Sequence, residues 1–278
     1  MKVISDIPAD LCGVIWHYRN TGEIHQMHSH RELQVNLVVR GQATYLMSDR
    51  RYDLRPRTQL WIFPDQDHVL VNKSDDFEMW IVLFCPEMVK RVATMEQARI
   101  LREPNPVGQF SRQLSSENMA SLATLFGEVA ASTKRDPGCF NVGLPYAMLR
   151  AWTVHLNTEE LTGGQELHPA VETAARLIRD EPEPLNIEQL ADRCGLSPCQ
   201  LSRVFKQQAG VTLVTYRQRA CLERFLKLYG QGRRTSMLRA ALKAGFGSYP
   251  QFHRVFRRLM GRSPAAYRRE INGEPARE

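Results

Sequence analysis

The sequence predicts an α+β protein with an N-terminal β-barrel, helices after it, and an all-α C-terminal domain with two helix-turn-helix units. The first hundred of its 278 residues hold short β-branched and aromatic runs. From about residue 111, Ala, Leu, Met and Glu dominate instead. A pattern in the last third of the chain then recurs after 51 residues. The predicted domains are a barrel at 1–110, a helical dimerisation or linker region at 111–166, two helix-turn-helix units at 167–270 and a tail at 271–278.

The predicted barrel strands are the runs 33–39, 60–63 and 77–84. Turn signals such as Arg40-Gly41 and Ser48-Asp49 separate them. No helical pattern lies between the strands, which favours a barrel or sandwich over a parallel sheet.

One polar cluster lies at the start of this region. In an extended segment, His28, His30 and Gln34 fall on one face, together with Glu32 and Asn36. The opposite face is apolar, with Leu33, Val35, Leu37 and Val39. A polar face at the mouth of a barrel is typical of a ligand pocket.

Two helices are predicted after the barrel, at 117–132 and 142–161, where they could dimerise. The stretch 162–165 is the best linker candidate. Pro169 follows it at a position that suits the start of a helix.

Charge separates the chain at this linker. Residues 1–166 hold 17 basic and 20 acidic side chains, whereas residues 167–278 hold 20 basic and 10 acidic ones. A basic domain joined to a mildly acidic one indicates a polyanionic partner, with nucleic acid as the leading case.

Composition excludes several classes of protein. A hydrophobic fraction of 43% is enough for folded cores. No apolar run approaches about 18 residues, so we expect no membrane-spanning helix and no membrane partner. The first ten residues lack a signal-peptide core, and the six cysteines form no CxxC pair. A cytoplasmic protein with free thiols is therefore expected.

The C-terminal repeat has the pattern R-V-F-[KR]-x3-G-x-[ST]-x3-Y-R, starting at Arg203 and again at Arg254. Each copy predicts a helix, a tight turn at Gly195 or Gly245, and a second helix capped by a serine. A duplicated packing unit without a DNA role is the alternative. In a helix-turn-helix the second helix enters the major groove. The outward residues of the two second helices are the candidate DNA contacts: Cys199, Gln200, Ser202, Arg203, Lys206, Tyr249, Gln251, His253, Arg254 and Arg257.

The chemistry of these residues suits DNA. Arg binds guanine through two parallel hydrogen bonds, and Ser and His can contact base edges. Lys206, Arg257 and Arg258 suit phosphates, which position a protein on the duplex. The helix predicted at 213–228 would hold the two units at a fixed separation.

The C-terminal hundred residues resemble the AraC/XylS family of bacterial transcription regulators. The resemblance lies in the segments 187–198, 201–206, 244–246, 252–257 and 261–268. It implies promoter DNA, a small-molecule effector, RNA polymerase and a second copy of the chain as partners. It also implies a bacterial protein that is associated with the nucleoid when bound to DNA. By the same resemblance, base contacts come from Cys199, Ser202, Arg203, Tyr249, Gln251, His253 and Arg254.

The N-terminal region resembles the two cupin motifs. The first is Gly22-x5-His28-x-His30-x3-Gln34-x6-Gly41, with Gln34 where Glu is usual, and a shortened second motif contains His68. The resemblance implies a cupin-like effector-sensing barrel, with the effector near His28, His30, Glu32, Gln34 and His68.

The three histidines have two interpretations. His28, His30 and His68 could hold a transition metal, with Gln34 as a weak fourth ligand. Alternatively they are hydrogen-bonding groups in an organic effector pocket, which the family resemblance favours. We therefore expect no required cofactor.

The sequence thus predicts a ligand-responsive, sequence-specific DNA-binding transcription regulator and not an enzyme. A metal-dependent cupin enzyme with an accessory DNA-binding domain is the alternative. A general nucleoid-binding protein is a third and weaker possibility.

Overall fold

The computed structural model describes residues 7–22, 28–47, 50–160, 164–181, 183–230 and 236–271. The predicted turn at Ser48-Asp49, positions 162 and 163 of the linker and the tail from 272 onward lie outside these residues. The chain forms two compact units, one built mainly from residues up to Glu166 and one from Leu167 onward. The α+β fold class is confirmed, with strands concentrated in the first unit and helices in the second.

The first unit holds two antiparallel sheets. One has five strands in the order β1-β7-β2-β5-β8, and the other has four in the order β6-β3-β4-β9. The strands are β1 Gly13–Arg19, β2 Leu33–Arg40, β3 Ala43–Met47, β4 Arg50–Leu54, β5 Thr58–Ile62, β6 His68–Val71, β7 Glu78–Phe84, β8 Ser111–Gln113 and β9 Gln165–Glu166.

The interior of the barrel is filled mainly by aromatic and aliphatic side chains. Tyr45, Tyr52, Phe77 and Leu70 are among the buried residues of this core. Strand β2 contributes Val38 to it from the same face as Gln34 and Asn36. A bulge after Val38 shifts the register with β7, so the alternation of faces ends there.

The opposite face of the five-stranded sheet packs against helices. These are α1 Pro86–Val92, a 3-10 helix Glu96–Arg102, α2 Ser116–Ser132 and α3 Pro137–Leu156. Val35 and Trp61 from the sheet share one buried core with Phe126 of α2 and Met148 of α3. This core explains why the odd-numbered residues of β2 are apolar.

Two boundaries differ from the sequence prediction. Strand β8 pairs with β5, so the sheet extends past the predicted boundary at 110. Helix α3 begins and ends about five residues earlier than predicted, because Asp136 caps it by accepting a hydrogen bond from Cys139 N and Pro137 occupies its first turn.

Pro145 lies inside α3 and has no N–H to give the carbonyl of Asn141. The Cys12 thiol donates to that carbonyl oxygen at 3.9 Å, and Cys12 N donates to Asn141 Oδ1 at 2.9 Å. Burial raises the pKa of the Cys12 thiol. Cys12 therefore has a structural role, tying the start of β1 to α3.

His155 of α3 is a buried group with a strongly shifted pKa. It is 2% exposed, stacks on Trp152 at 4.8 Å between ring centroids, and its Nδ1 has no hydrogen-bond partner. Burial, with a smaller contribution from Arg112, lowers the pKa of His155 to about 3. The folded protein therefore keeps this imidazole neutral at mildly acidic pH.

His155 should make the first unit acid-sensitive. In the unfolded chain the His155 imidazole is protonated near pH 6.5, whereas in the folded chain it stays neutral until about pH 3. The free energy of unfolding therefore decreases as the pH falls below 6.5. Between about pH 7.5 and 5.5 we expect His155 alone to lower the free energy of unfolding by about 1.4 kcal/mol. Denaturant unfolding of wild type and His155→Leu at both pH values measures it. Equal losses in the two proteins would contradict the assignment.

The regular secondary structure described in the second unit from Leu167 onward is all helical. Its helices are α4 Pro169–Asp180, α5 Ile187–Arg193, α6 Pro198–Ala209, α7 Leu213–Gly230, α8 Met237–Lys243, α9 Tyr249–Met260 and α10 Pro264–Ile271. Helices α5 and α6 form one helix-turn-helix, and α8 and α9 form the other. The turns contain Gly195 and Gly245, both at positive φ, as the tight turn requires.

Helix α7 joins the two helix-turn-helix units. Tyr216 near its start packs on Phe205 of α6 at 5.2 Å between ring centroids. Phe225, further along, packs on Phe252 of α9 at 4.5 Å and on Phe256 at 5.8 Å. Because one rigid helix contributes to both cores, it fixes the spacing of α6 and α9.

No helix in the described part of the chain is both long and apolar enough to cross a membrane.

Candidate DNA interface and effector site

Helices α6 and α9, the recognition helices, have matching caps. Ser197 and Ser248 are their N-caps, accepting hydrogen bonds from Gln200 N and Gln251 N. Gly210 and Gly261 end them in the left-handed conformation, at φ 69° and 67°. Since each pair is 51 residues apart, the sequence repeat is a repeat of helix length and orientation.

The buried residues of the recognition helices also correspond. Leu201 and Phe205 of α6 are fully buried, as are Phe252 and Phe256 of α9 at the equivalent positions. The repeat therefore places equivalent residues on the outer faces as well.

Most of the candidate DNA contacts lie exposed on these outer faces. Arg203 and Arg254 are equivalent exposed residues, one turn into each helix. Lys206 and Arg257 follow them by about one turn and are also exposed. Cys199, Tyr249 and His253 are exposed, and Ser202 is half-buried.

Gln200 and Gln251 have a local structural role. Gln200 Oε1 accepts from Ser197 N at 3.0 Å, and Gln251 Oε1 accepts from Gly247 N at 2.9 Å. In α6 this bond and the one that Gln200 N donates to Ser197 Oγ together form a capping box. The amide oxygens of Gln200 and Gln251 therefore hold the N-terminal ends of these helices.

Arg258, a further phosphate candidate, is also exposed on α9. Arg258 donates to Gln218 of α7. The position equivalent to Arg258 in α6 is Gln207, so this charge is present only in the second helix-turn-helix.

The polar cluster of the first unit lies at one end of the barrel. His28 and His68 form a β-bridge, with backbone hydrogen bonds of 2.9 and 3.0 Å. The ring centroids of His28, His30 and His68 are 4.3 to 5.9 Å apart. We call these three residues the histidine cluster.

Two of the rings have their Nδ1 atoms held by backbone carbonyls. His68 Nδ1 is 2.9 Å from Gln66 O, and His30 Nδ1 is 3.0 Å from Glu32 O. A carbonyl only accepts, so each Nδ1 carries the proton and donates. In the neutral ring, Nε2 then carries the lone pair.

His68 is held in the neutral form. It is 1% exposed. Burial, and then the neighbouring His28 and His30, lower the pKa of His68 well below its usual range. The Glu32 carboxylate lies 3.7 Å from His30 Nδ1, on the outer side of that ring.

Gln34 continues the cluster into the barrel. Its Oε1 lies 2.9 Å from His30 Nε2, and its amide nitrogen donates to Asn36 Oδ1 at 2.8 Å. Tyr45 of β3 lies beside the side-chain amides of Asn36 and Gln34, and its ring lies 6.0 Å from that of His68. Asn36 Nδ2 is buried and has no hydrogen-bond partner.

The sequence prediction therefore placed His28, His30, Glu32, Gln34 and His68 together, and the structure brings them together. It missed Tyr45, which comes from β3. Strand alternation alone does not tell which strand faces β2 across the barrel, so no local signal identified it.

Models of known domain families match both the N-terminal and the C-terminal part of the chain. An AraC-like ligand-binding domain model matches residues 8–136, and a helix-turn-helix domain model matches residues 190–270. The HTH-type transcriptional activator RhaR of Escherichia coli O139:H28 is 24% identical over 248 residues, spanning 87% of this chain and 86% of the relative.

Two solved structures are also similar in part. Fatty acid-bound ToxT from Vibrio cholerae is 12% identical, with a TM-score of 0.35 over 96% of this chain and 97% of that one. The DNA-binding domain of AdpA in complex with a target DNA is 27% identical, with a TM-score of 0.33 over 38% of this chain and 94% of that one. With a ligand-binding domain matched in its first half and a helix-turn-helix domain in its second, the chain belongs to the AraC/XylS family of ligand-responsive transcription regulators.

Proposed function

We propose that the chain reads promoter DNA through α6 and α9, with Arg203 and Arg254 as the central base-reading residues. The observation that supports this most is their equivalence: both are exposed, 51 residues apart, on helices with matching caps and cores. One chain then reads two stretches of major groove, because α7 contributes to both cores.

The other contacts divide by chemistry. Cys199, Ser202, Tyr249 and His253 lie in the first two turns of the recognition helices, near the end that enters the groove. Lys206 and Arg257 lie further along and contact phosphates. Gln200 and Gln251 contribute only their amide NH2 groups, since the oxygens hold the helix caps.

The effector site is the polar end of the barrel, formed by His28, His30, Glu32, Gln34 and His68. A small ligand there contacts β2 and β6 together, because His68 begins β6 and Gln34 lies on β2. Ligand binding changes DNA affinity through its different affinity for the two states of the sensor. The chain acts as a binding protein, like the transcriptional activators it is similar to.

The chain forms a homodimer through α3. Val142, Tyr146 and Leu156 are 74%, 60% and 46% exposed, and Leu149 and Thr153 lie between them on the same stripe. Successive steps of four and three residues are the spacing with which two helices pack along a seam. A two-fold pairing of α3 with a second copy covers this apolar stripe.

We propose RNA polymerase as a further partner of the second helix-turn-helix. Leu238 and Leu242, one turn apart on α8, are each 48% exposed. This pair is the surface of the second helix-turn-helix that we propose for the polymerase.

The test is binding of the full chain to the promoter fragments of its own and neighbouring genes, by fluorescence anisotropy at several salt concentrations. We expect one fragment to bind about 1,000-fold or more tightly than random DNA at physiological salt. Comparable affinity for random DNA would instead support a general nucleoid-binding protein.

A further inference from the structure

We propose that the histidine cluster binds a divalent transition-metal ion and that this ion is the ligand to which the sensor responds. The ligands are the imidazoles of His28, His30 and His68, with the amide oxygen of Gln34 beside them. This inference rests on the proposed function, because it names the ligand class of the same effector site.

The spacing of the donor atoms supports a metal. One ring nitrogen from each of the three histidines lies within 4.8 Å of the other two. Imidazole nitrogens bound to one tetrahedral Zn²⁺ are about 3.3 Å apart, given Zn–N distances of about 2.0–2.1 Å. The donor atoms are therefore within about 1.5 Å of the spacing that a shared ion requires.

The orientation of the rings supports it too. His30 and His68 each donate Nδ1–H to a backbone carbonyl, at 3.0 and 2.9 Å. Histidines that ligate metals are held in this way by the ring nitrogen that does not bind the ion. The Nε2 lone pairs are then available to the metal.

Gln34 places an oxygen where a fourth ligand belongs. Because its nitrogen donates to Asn36 Oδ1, its oxygen faces His30 Nε2 at 2.9 Å. When Nε2 carries no proton, both of these atoms present lone pairs to the same space. A cation bound there is coordinated by the nitrogen and the oxygen together.

The donor set selects the kind of metal. Imidazole nitrogens suit Zn²⁺, Ni²⁺, Fe²⁺ and Cu²⁺, whereas Mg²⁺ and Ca²⁺ take oxygen ligands. Neutral imidazole is the form that binds metal, through the lone pair of the ring nitrogen that carries no proton.

The surrounding packing favours a ligand as small as an ion. Tyr45, Met47 and Leu70, from the adjoining strands β3 and β6, are only 3–5% exposed and belong to the barrel core. A larger organic molecule would have to displace these side chains, whereas a metal needs only the ring nitrogens already present.

The experiment uses the full chain, stripped of metal with a chelator and titrated with Co²⁺, whose visible absorption reports its ligands. Zn²⁺ bound after dialysis is counted by elemental analysis. The variants are His28→Gln and His30→Gln, each partly exposed in the fold, and His17→Gln is the matched control outside the cluster. Affinity for the promoter fragment is measured with and without each metal.

We expect one ion per chain in wild type and in His17→Gln. Each cluster variant should bind Co²⁺ at least about 10-fold more weakly. Mutation of residues that only hydrogen-bond to metal ligands already causes a loss of this size. Metal should change promoter affinity by about 5-fold or more in wild type, the usual size of such coupling.

No metal uptake, or uptake unchanged in both cluster variants, would overturn the site. Uptake without any change in promoter affinity would overturn its role as the signal. The proposed function fails separately: it is contradicted if neither the stripped nor the metal-loaded chain prefers promoter DNA, even where metal uptake follows the cluster.

Discussion

Replacing Arg203 and Arg254 together with Ala should lower affinity for the promoter site by about 30- to 20,000-fold. A bidentate arginine–guanine contact contributes about 1–3 kcal/mol of discrimination, and about 1.4 kcal/mol corresponds to a factor of ten. The two arginines lie on separate helices with separate cores, so their contributions should add. Each single change should relax sequence preference in a different half of the site.

The matched control is the pair Lys206→Ala and Arg257→Ala, which removes the same charge from the same helices. If these residues contact phosphates, the control should weaken promoter and random DNA alike and reduce the salt dependence by about two charges. Anisotropy on both DNAs, with footprinting of the promoter, separates the two variants. An Arg203→Ala, Arg254→Ala protein that loses affinity equally on random DNA would place the arginines on phosphates.

Much of the second unit could be predicted because its signals are local. Neighbouring residues alone specify the bounds of α6. Ser197, Pro198 and Gln200 mark its start, and Gly210 marks its end. The 51-residue repeat then carries the same assignment to α9. Local chemistry of this kind does not depend on how the rest of the chain packs.

Predictions failed where packing decides between equivalent local choices. On α8, hydrophobicity and spacing favour burial of Leu238, Ala241 and Leu242, but the buried residues are Ala240, Ala241 and the C-cap Ala244, and both leucines are exposed. Small side chains let α8 approach Phe225 and Phe252 closely, and these two large rings fill the core. Hydrophobicity alone ranks leucine above alanine and cannot show this.

Non-local pairing limited the prediction of the sensor. Strand β8 has three residues and no alternating pattern, and it exists because β5 offers it an edge. The histidine cluster, by contrast, followed from strand spacing and motif, although only the fold shows that Nδ1 of two rings is held by backbone carbonyls. Whether a polar strand face suits an ion or an organic molecule depends on side chains from other strands, such as Tyr45.

A charge placed in the α3 stripe should convert the chain from dimer to monomer. The double change Val142→Asp and Tyr146→Asp puts two carboxylates into the proposed seam from each copy, four in all. Removing an ion from water without a partner costs several kcal/mol. Dissociation should therefore be complete at concentrations where wild type is dimeric, as analytical ultracentrifugation measures. Affinity for a promoter with two half-sites should fall with it, because each chain then binds alone.

Two matched variants distinguish loss of the interface from loss of the fold. Tyr146→Phe keeps the apolar ring and should stay dimeric. Thr124→Asp adds a charge to an exposed position of the neighbouring helix α2 and should also stay dimeric. Val142 and Tyr146 are mostly exposed within one chain, so the double aspartate variant should unfold at close to the wild-type temperature. A double variant that remains dimeric would move the interface away from α3, since four buried carboxylates could not be accommodated along a packed apolar seam.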